Sequence, residues 1–351
     1  MFASSGKRRG VLEGLASAAL FGAATPLAKD LLTGMSPPVL AGLFYLGAAA
    51  FLAPFVLRRR LRGGHMSIPS DKRNRLYLLG AILFGGVLGP VLLLSGLAIA
   101  RAGSVSMLLN LETTATAVLA FFLFREHLGR WAWLGNAGVL AAGLLLSIEG
   151  GRPGITGGLF VAGAAVCWGL DNNLTALIDG ITPTQSTFWK GLVAGTTNLT
   201  IGLLLNPVSP SPIWITALII GGLSYGVSIV LYISSAQSLG ATRSQMIFAT
   251  APFFGVLMAV LWLGEGLTVA QVVAGGLLVL SLGFLFLESH DHSHEHTAIT
   301  HTHSHVHDDG HHDHTHADQE DSQRHTHEHT HNRLVHSHPH WPDLHHRHAH
   351  K

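Results

Sequence analysis

Long apolar runs separated by short polar punctuation set the pattern of residues 11–287. Ten runs can be marked, near 11–32, 38–57, 76–98, 104–124, 130–148, 157–179, 184–205, 213–236, 243–264 and 269–287. Each is close to the roughly 20 residues that a helix needs to cross the hydrocarbon core of a bilayer. Backbone N–H and C=O groups in lipid must be paired within the protein, so such runs form helices. Most connections are short; the exception is 58–75, RRRLRGGHMSIPSDKRNR, which is basic and polar. The pattern predicts an all-α polytopic membrane protein with about ten transmembrane helices.

The stretch 101–128, RAGSVSMLLNLETTATAVLAFFLFREHL, has an echo 139 positions later at 240–267, GATRSQMIFATAPFFGVLMAVLWLGEGL. Laid together without a gap, Ala102 falls on Ala241, Met107 on Met246, Ala120 on Ala259, Glu126 on Glu265 and Leu128 on Leu267. Each copy has a small polar turn, then about 20 apolar residues, then a Glu at the exit, an order typical of internal transporter repeats. Five spans per half is an odd number, so the second half enters the membrane with opposite orientation. The expected architecture is two inverted five-helix repeats.

Lys and Arg fix the orientation, because cytoplasmic loops are enriched in both. With the N-terminus inside, the cytoplasmic segments before the tail hold Lys7, Arg8, Arg9, Arg58, Arg59, Arg60, Arg62, Lys72, Arg73, Arg75, Arg125, Arg130 and Arg243, against Lys29, Arg101 and Arg152 outside, a bias of 13 to 3. The basic start resembles the n-region of a signal peptide, but no small-residue cleavage site is followed by a soluble mature domain, so the first run is expected to be a retained helix. The chain divides into a cytoplasmic N-terminus (1–10), a first repeat (11–148), a second repeat (155–287) and a cytoplasmic His-rich tail (288–351). The expected location is the cell's inner, or plasma, membrane.

Composition sharpens this division. The 351 residues are 48% hydrophobic and 12% charged, with a mean hydropathy of +0.38. That average conceals a tail that holds 23 of the 25 histidines. The net charge of +1 gives no reason to expect nucleic acid as a partner. The single Cys167 lies in an apolar run, which excludes a disulfide framework. There is no Walker motif, so ATP does not drive the protein directly, and nothing suggests an enzyme. Pro26, Pro54, Pro90 and Pro252 lie within or near span interiors. Pro26 and Pro252 are the better candidates for bends beside a site.

Charges inside a bilayer are expensive and face a partner or a wet cavity. Glu112 lies near the middle of span 4 and Asp171 near the middle of span 6. Lys190 sits about a turn and a half into span 7, and Lys29 near the outer end of span 1. Glu112 is flanked by Asn110, Thr113, Thr114 and Thr116, and the polar residues at 110, 113 and 114 recur at helical spacing, so one face of span 4 is polar. That face is expected to line a cavity, with Glu112 as a substrate-amine or proton site, a structural salt bridge being the alternative. Asn172 and Asn173 extend the patch at Asp171, although three consecutive helical residues cannot share one face. The expected substrate-binding and coupling set is Glu112, Asp171, Asn110, Asn172, Asn173, Lys29 and Lys190. Lys29 and Lys190 can alternatively snorkel to the interface. Glu126 and Glu265, at helix ends, are expected to cap a neighbouring helix or face the surface.

FGAATPLAK at 21–29 resembles the first-helix signature of drug/metabolite transporters, and CWGLDNN at 167–173 the matching start of a second half. With Glu126 and Glu265 closing their spans, the set resembles the EamA-type branch, whose members have ten helices in two inverted repeats. The second half has Ala176 in place of a Lys matching Lys29, and Thr113 stands where many members place a Pro. The resemblance implies a transporter, commonly an exporter of amino acids, metabolites or drugs. It leaves the tail unaccounted for.

The tail is dominated by His-x-His with Asp and Glu interspersed. It cannot bury a core and is expected to be disordered without ligand. Imidazole suits Zn, Ni and Co, and the candidate ligands are His290, His292, His294, His296, His301, His303, His305, His307, His311, His312, His314 and His316. The expectation is therefore a secondary transporter that requires no cofactor, with divalent metal on a regulatory tail. Its partners are a small-molecule substrate and the lipid bilayer, and the chain acts as a monomer or homodimer. Two rivals are a divalent-metal exporter that collects Ni, Co or Zn with the tail, and a membrane metal sensor without transport.

Overall fold

The structure is a computed structural model that describes residues 5–61, 71–124, 128–178, 181–239, 241–287, 290–296, 299–305, 325–331 and 334–340. The ten apolar runs are all helical, but several helices are interrupted. In order they are α1 (Ser5–Leu31), α2 (Pro37–Leu61), α3 (Lys72–Ala81), α4 (Gly89–Ile99), α5 (Ala102–Leu108), α6 (Leu111–Phe124), α7 (Arg130–Glu149), α8 (Gly151–Ala176), α9 (Pro183–Leu205), α10 (Pro212–Gly221), α11 (Ser228–Leu239), α12 (Ala241–Phe248), α13 (Ala251–Leu263) and α14 (Val269–Leu287). Seven continuous helical stretches among the described residues are long and apolar enough to cross a membrane. Shorter apolar helices at α13 and α14, and the 23-residue α9, complete the series.

The interruptions repeat between the halves. A π-helical segment, Ile82–Leu88, joins α3 to α4, and another, Gly222–Val227, joins α10 to α11. A two-residue break at 109–110 separates α5 from α6, and one at 249–250 separates α12 from α13. Pro252 lies in the first turn of α13, where its missing N–H breaks no helical bond. Pro90 acts differently. Its lack of an N–H frees the carbonyl of Gly86, four residues earlier, and Asn198 Nδ2 fills that vacancy at 3.0 Å. Pro26 and Pro54 remain inside α1 and α2.

Packing follows the two-fold arrangement expected of inverted repeats. The first helix of each half leaves its own half: α1 packs on α11 and α13, while α8 packs on α4 and α6. The equivalent helices α2 and α9 lie against one another, as do α7 and α14. Glycines permit the crossings. A Cβ on Gly22 of α1 would strike the Ala251 carbonyl of α13, and a Cβ on Gly169 of α8 would strike the backbone of Ala115 and Thr116 on α6. Small residues at such contacts let membrane helices approach closely, where dispersion acts without a hydrophobic driving force. These two glycines belong to the two signature segments read from the sequence.

Beyond Leu287 the described residues form four seven-residue strands, β1 (His290–His296), β2 (Ile299–His305), β3 (His325–His331) and β4 (Leu334–His340). β1 pairs antiparallel with β4, and β2 with β3. His-x-His alternation has the period of two that strand pairing uses.

Candidate functional site

Three charged side chains lie on α6, α8 and α9, where α8 packs on α6 and where α8 and α9 meet the π segment of the first half. Lys190 Nζ on α9 donates to both carboxylate oxygens of Asp171 on α8, each at 2.6 Å. Both side chains are nearly enclosed, 16% and 9% exposed. Thr175, one turn along α8, donates to Asp171 Oδ1 at 2.9 Å. This pair fills the space beside Gly85, where a Cβ would collide with the Asp171 carboxylate. The Gly85 carbonyl, displaced from α-helical register by the π segment, accepts from Tyr45 Oη at 2.7 Å and Trp168 Nε1 at 3.0 Å.

Glu112 is placed differently. Its Oε1 accepts from Asn172 Nδ2 at 2.9 Å, and Asn172 also donates to Thr116 Oγ1 at 3.1 Å. Among the described residues no cation is paired with Glu112. It is half-buried, whereas Asn110 two residues earlier and Thr114 two residues later are buried. Glu112 lies within electrostatic reach of Asp171, Lys190, Tyr45 and Tyr225. With both acids ionised the trio carries one net negative charge, because Lys190 cancels Asp171 only.

The three consecutive polar residues on α8 face three ways, as helical spacing requires. Asp171 meets α9, Asn172 meets Glu112, and Asn173 Nδ2 straps α8 to α6 through the Thr116 carbonyl at 3.1 Å and its own Gly169 carbonyl at 2.8 Å. Asn110 does not reach the cluster: its side chain donates to the Met107 carbonyl at 3.2 Å, within the break between α5 and α6. Thr114 Oγ1 is buried without a hydrogen-bond partner.

Lys29 is likewise remote from Glu112. Its ammonium caps the C-terminus of α4, donating to the carbonyls of Leu97, Ala98 and Ala100 at 2.7, 3.0 and 2.9 Å. Beside it Glu265 accepts from the Ala102 and Gly103 amides at 2.9 and 3.0 Å, so the carboxylate sits at the positive end of α5. Arg101 adds a bond to the Gly266 carbonyl and stands 3.8 Å from Glu265. The connection between α4 and α5 is thus held at its carbonyls by the first half and at its amides by the second. Glu126 lies outside the described residues, and so do the side chains of all the tail histidines. Among the described residues no group of three or more His, Cys, Asp or Glu is placed to hold a metal.

Sequence reading missed the aromatic wall. The Tyr225 ring, in the second π segment, lies 5.6 Å from Tyr45, 5.9 Å from Phe44 and 5.6 Å from Phe21, and Phe21 lies 5.2 Å from Phe248. Tyr232 continues the series at 5.2 Å from Phe248. The signal available was the paired glycines of GGVLG and GGLSYG, which mark the π segments in both halves.

Similarity to known proteins agrees with this architecture. The chain is 27% identical over 285 residues to an uncharacterized transporter of Methanothermobacter thermautotrophicus strain Delta H, covering 76% of this chain and 82% of the relative. A solved crystal structure superposes with a TM-score of 0.58 over 80% of this chain and 98% of its own length, at 19% identity, which bears on the fold alone. The sequence model of the EamA-like transporter family matches residues 8–148 and 155–287, one match per inverted repeat, and the chain belongs to that family.

Proposed function

We propose that this membrane transporter is a secondary, alternating-access exporter of a small metabolite, amino acid or drug across the cytoplasmic membrane, with both termini in the cytoplasm. The observation that carries the reading is Glu112. It is a carboxylate at mid-bundle, hydrogen-bonded by neutral Asn172, beside an Asp171–Lys190 pair that is already neutral. Intramembrane ionisable groups mark substrate or coupling-ion pathways. Sites of this kind lie near the interface of inverted repeats, and here the first-half Glu112 is bonded by Asn172 on α8 of the second half. The orientation rests on the 13-to-3 distribution of Lys and Arg.

Metabolite and metal profiles of cells lacking or overexpressing the protein, followed by flux of the changed compounds in proteoliposomes, test the reading. A small molecule that accumulates without the protein, and that wild type but not Glu112→Gln moves, supports it. The histidine content of the tail favours a second reading, a divalent-metal exporter. Selective accumulation of Ni, Co or Zn in the deletion, with no change in organic metabolites, would replace the first reading with that one. Tail-bound metal with no flux of any kind would instead make the protein a sensor.

A further inference from the structure

We propose that the paired strands beyond Leu287 form two closed zinc sites, one in each two-stranded ladder, centred on the cross-strand pairs His292–His338 and His303–His327. This rests on the reading of the tail as a metal-holding segment. It adds which histidines hold the ion, and that each ion joins two stretches of the chain.

The register carries the inference. In the β1–β4 ladder His290 is paired with His340, His292 with His338 and His294 with His336. In the β2–β3 ladder His301 is paired with His329, His303 with His327 and His305 with His325. Twelve histidines thus meet as six pairs. Histidine stands at even positions in β1 and β4 and at odd positions in β2 and β3, so the change of phase between β1 and β2 is undone between β3 and β4. Ile299 lies as far past His290 as His331 lies before His340, so the two ladders keep one alignment. A slip of one residue would set His303 against Thr326 or Glu328, and His292 against Ser337 or Pro339.

Alternate residues of a strand share a face, so each ladder has three consecutive His–His pairs on one face. Directly opposed residues have Cβ atoms about 4.5–5.5 Å apart, and the next pair on that face lies about 7 Å along the strands. Imidazoles from two neighbouring pairs can therefore close on one ion at the Zn–N distance of about 2.0–2.1 Å. Four imidazoles make a closed tetrahedral set, which zinc accepts because its d electrons impose no geometry. The two outer pairs of a ladder are about 13 Å apart and cannot share an ion, so any such set includes the middle pair. Each row stops where a histidine meets an apolar partner, at His296–Leu334 and Ile299–His331, which keeps the two sites separate. Each ion would tie 290–305 to 325–340, so that ligation and strand pairing stabilise one another.

The test uses the full chain in lipid nanodiscs, equilibrated across a graded series of zinc buffers, and counts the ions held most tightly. Wild type is expected to hold two, one per ladder. H303A/H327A should lose one of them and H292A/H338A the other. H301A/H329A removes as many histidines from the same ladder but leaves the middle pair a neighbour, and should keep both ions. H311A/H312A/H314A/H316A removes more histidines, all outside the ladders, and should also keep both. Cobalt gives a second readout: four imidazoles produce the intense visible bands of a tetrahedral ion, lost when both middle pairs are replaced. Equal losses from H303A/H327A and H301A/H329A overturn the proposal, as do losses that simply follow the number of histidines removed. Pale octahedral cobalt on wild type overturns it without any variant. In each of these cases the tail still holds metal and only the paired sites fall. If the full chain holds no more zinc in any buffer than a chain ending at Ser289, the reading of the tail as a metal holder falls with them.

Discussion

Lys190 and Asp171 form a closed pair: the ammonium lies 2.6 Å from each carboxylate oxygen, with Thr175 on one of them and Gly85 leaving the space. Removing one partner of a buried pair strands the other charge, which destabilises by about 3–5 kcal/mol. Lys190→Met is therefore expected to lower the melting temperature of the purified protein markedly. Lys190→Met with Asp171→Asn, which leaves no stranded charge, should recover most of the loss. Equal melting temperatures for the single variant and wild type would show that the pair contributes nothing to stability.

Gly85 offers an independent check on the same contact. Gly85→Ala would put a methyl group where the Asp171 carboxylate now lies, although the π segment itself tolerates alanine. The expected result is a variant that inserts but loses most of its transport, because Asp171 and Lys190 are pushed out of register. Gly276→Ala is the control, since nothing stands within 4 Å of the added carbon there. Similar flux from the two variants would separate Gly85 from the site.

A good part of this was legible in the chain. The ten apolar runs follow from the bilayer, which demands about 20 apolar residues per helix whatever their neighbours. The inverted repeat was visible as the 139-residue echo. The structure adds physical grounds for it, since both halves break at 109–110 and 249–250 and both have a π segment. Glu112, Asp171 and Lys190 could be singled out because intramembrane charge is rare and expensive. Which of them are partners could not. Helical periodicity says which residues share a face of one helix, not which helix faces it. Hence the pattern sets Lys29 beside Glu112, whereas its ammonium caps the end of α4, and it sets Asn110 there, whereas that side chain turns back on its own helix. Tyr225 was illegible for the same reason: its role depends on Phe21 and Tyr45, which are distant in sequence.

The double hold on the α4–α5 connection predicts a seal at the Lys29 end. Lys29→Met frees three carbonyls and Glu265→Gln weakens the bonds to two amides. Hydrogen bonds to a charged group contribute about 1.5–3 kcal/mol each in favourable cases, so either change should open that end more often. The readout is a cysteine at Thr33, which is exposed just past α1, and a second at Ser104, which is buried, both with Cys167→Ala. A membrane-impermeant maleimide should label position 104 several-fold faster in the Lys29→Met and Glu265→Gln variants, with position 33 unchanged. No change at 104 would mean that these bonds are structural ornaments on an end that is sealed by packing alone.

The last prediction separates the tail from the translocation path. The histidine array is a collection of borderline ligands that suit Zn, Ni or Co, whereas the bonds described for Glu112, Asp171 and Lys190 run between α6, α8 and α9. The full chain is therefore expected to bind several divalent ions, and a chain ending at Ser289 to lose most of them while keeping substrate flux. Imidazole must be neutral to ligate, so protons compete, and metal binding should weaken below about pH 6. Truncation should change how flux responds to added Zn or Ni, and not its rate in a chelator. Isothermal titration of the two proteins with Zn at pH 7.5 and 5.5, paired with flux in EDTA, makes the comparison. If the truncated protein inserts normally and transports nothing, the tail is part of the path and the metal-exporter reading takes over. If the full chain takes up no more metal at neutral pH than the chain ending at Ser289, the tail has some role other than holding metal.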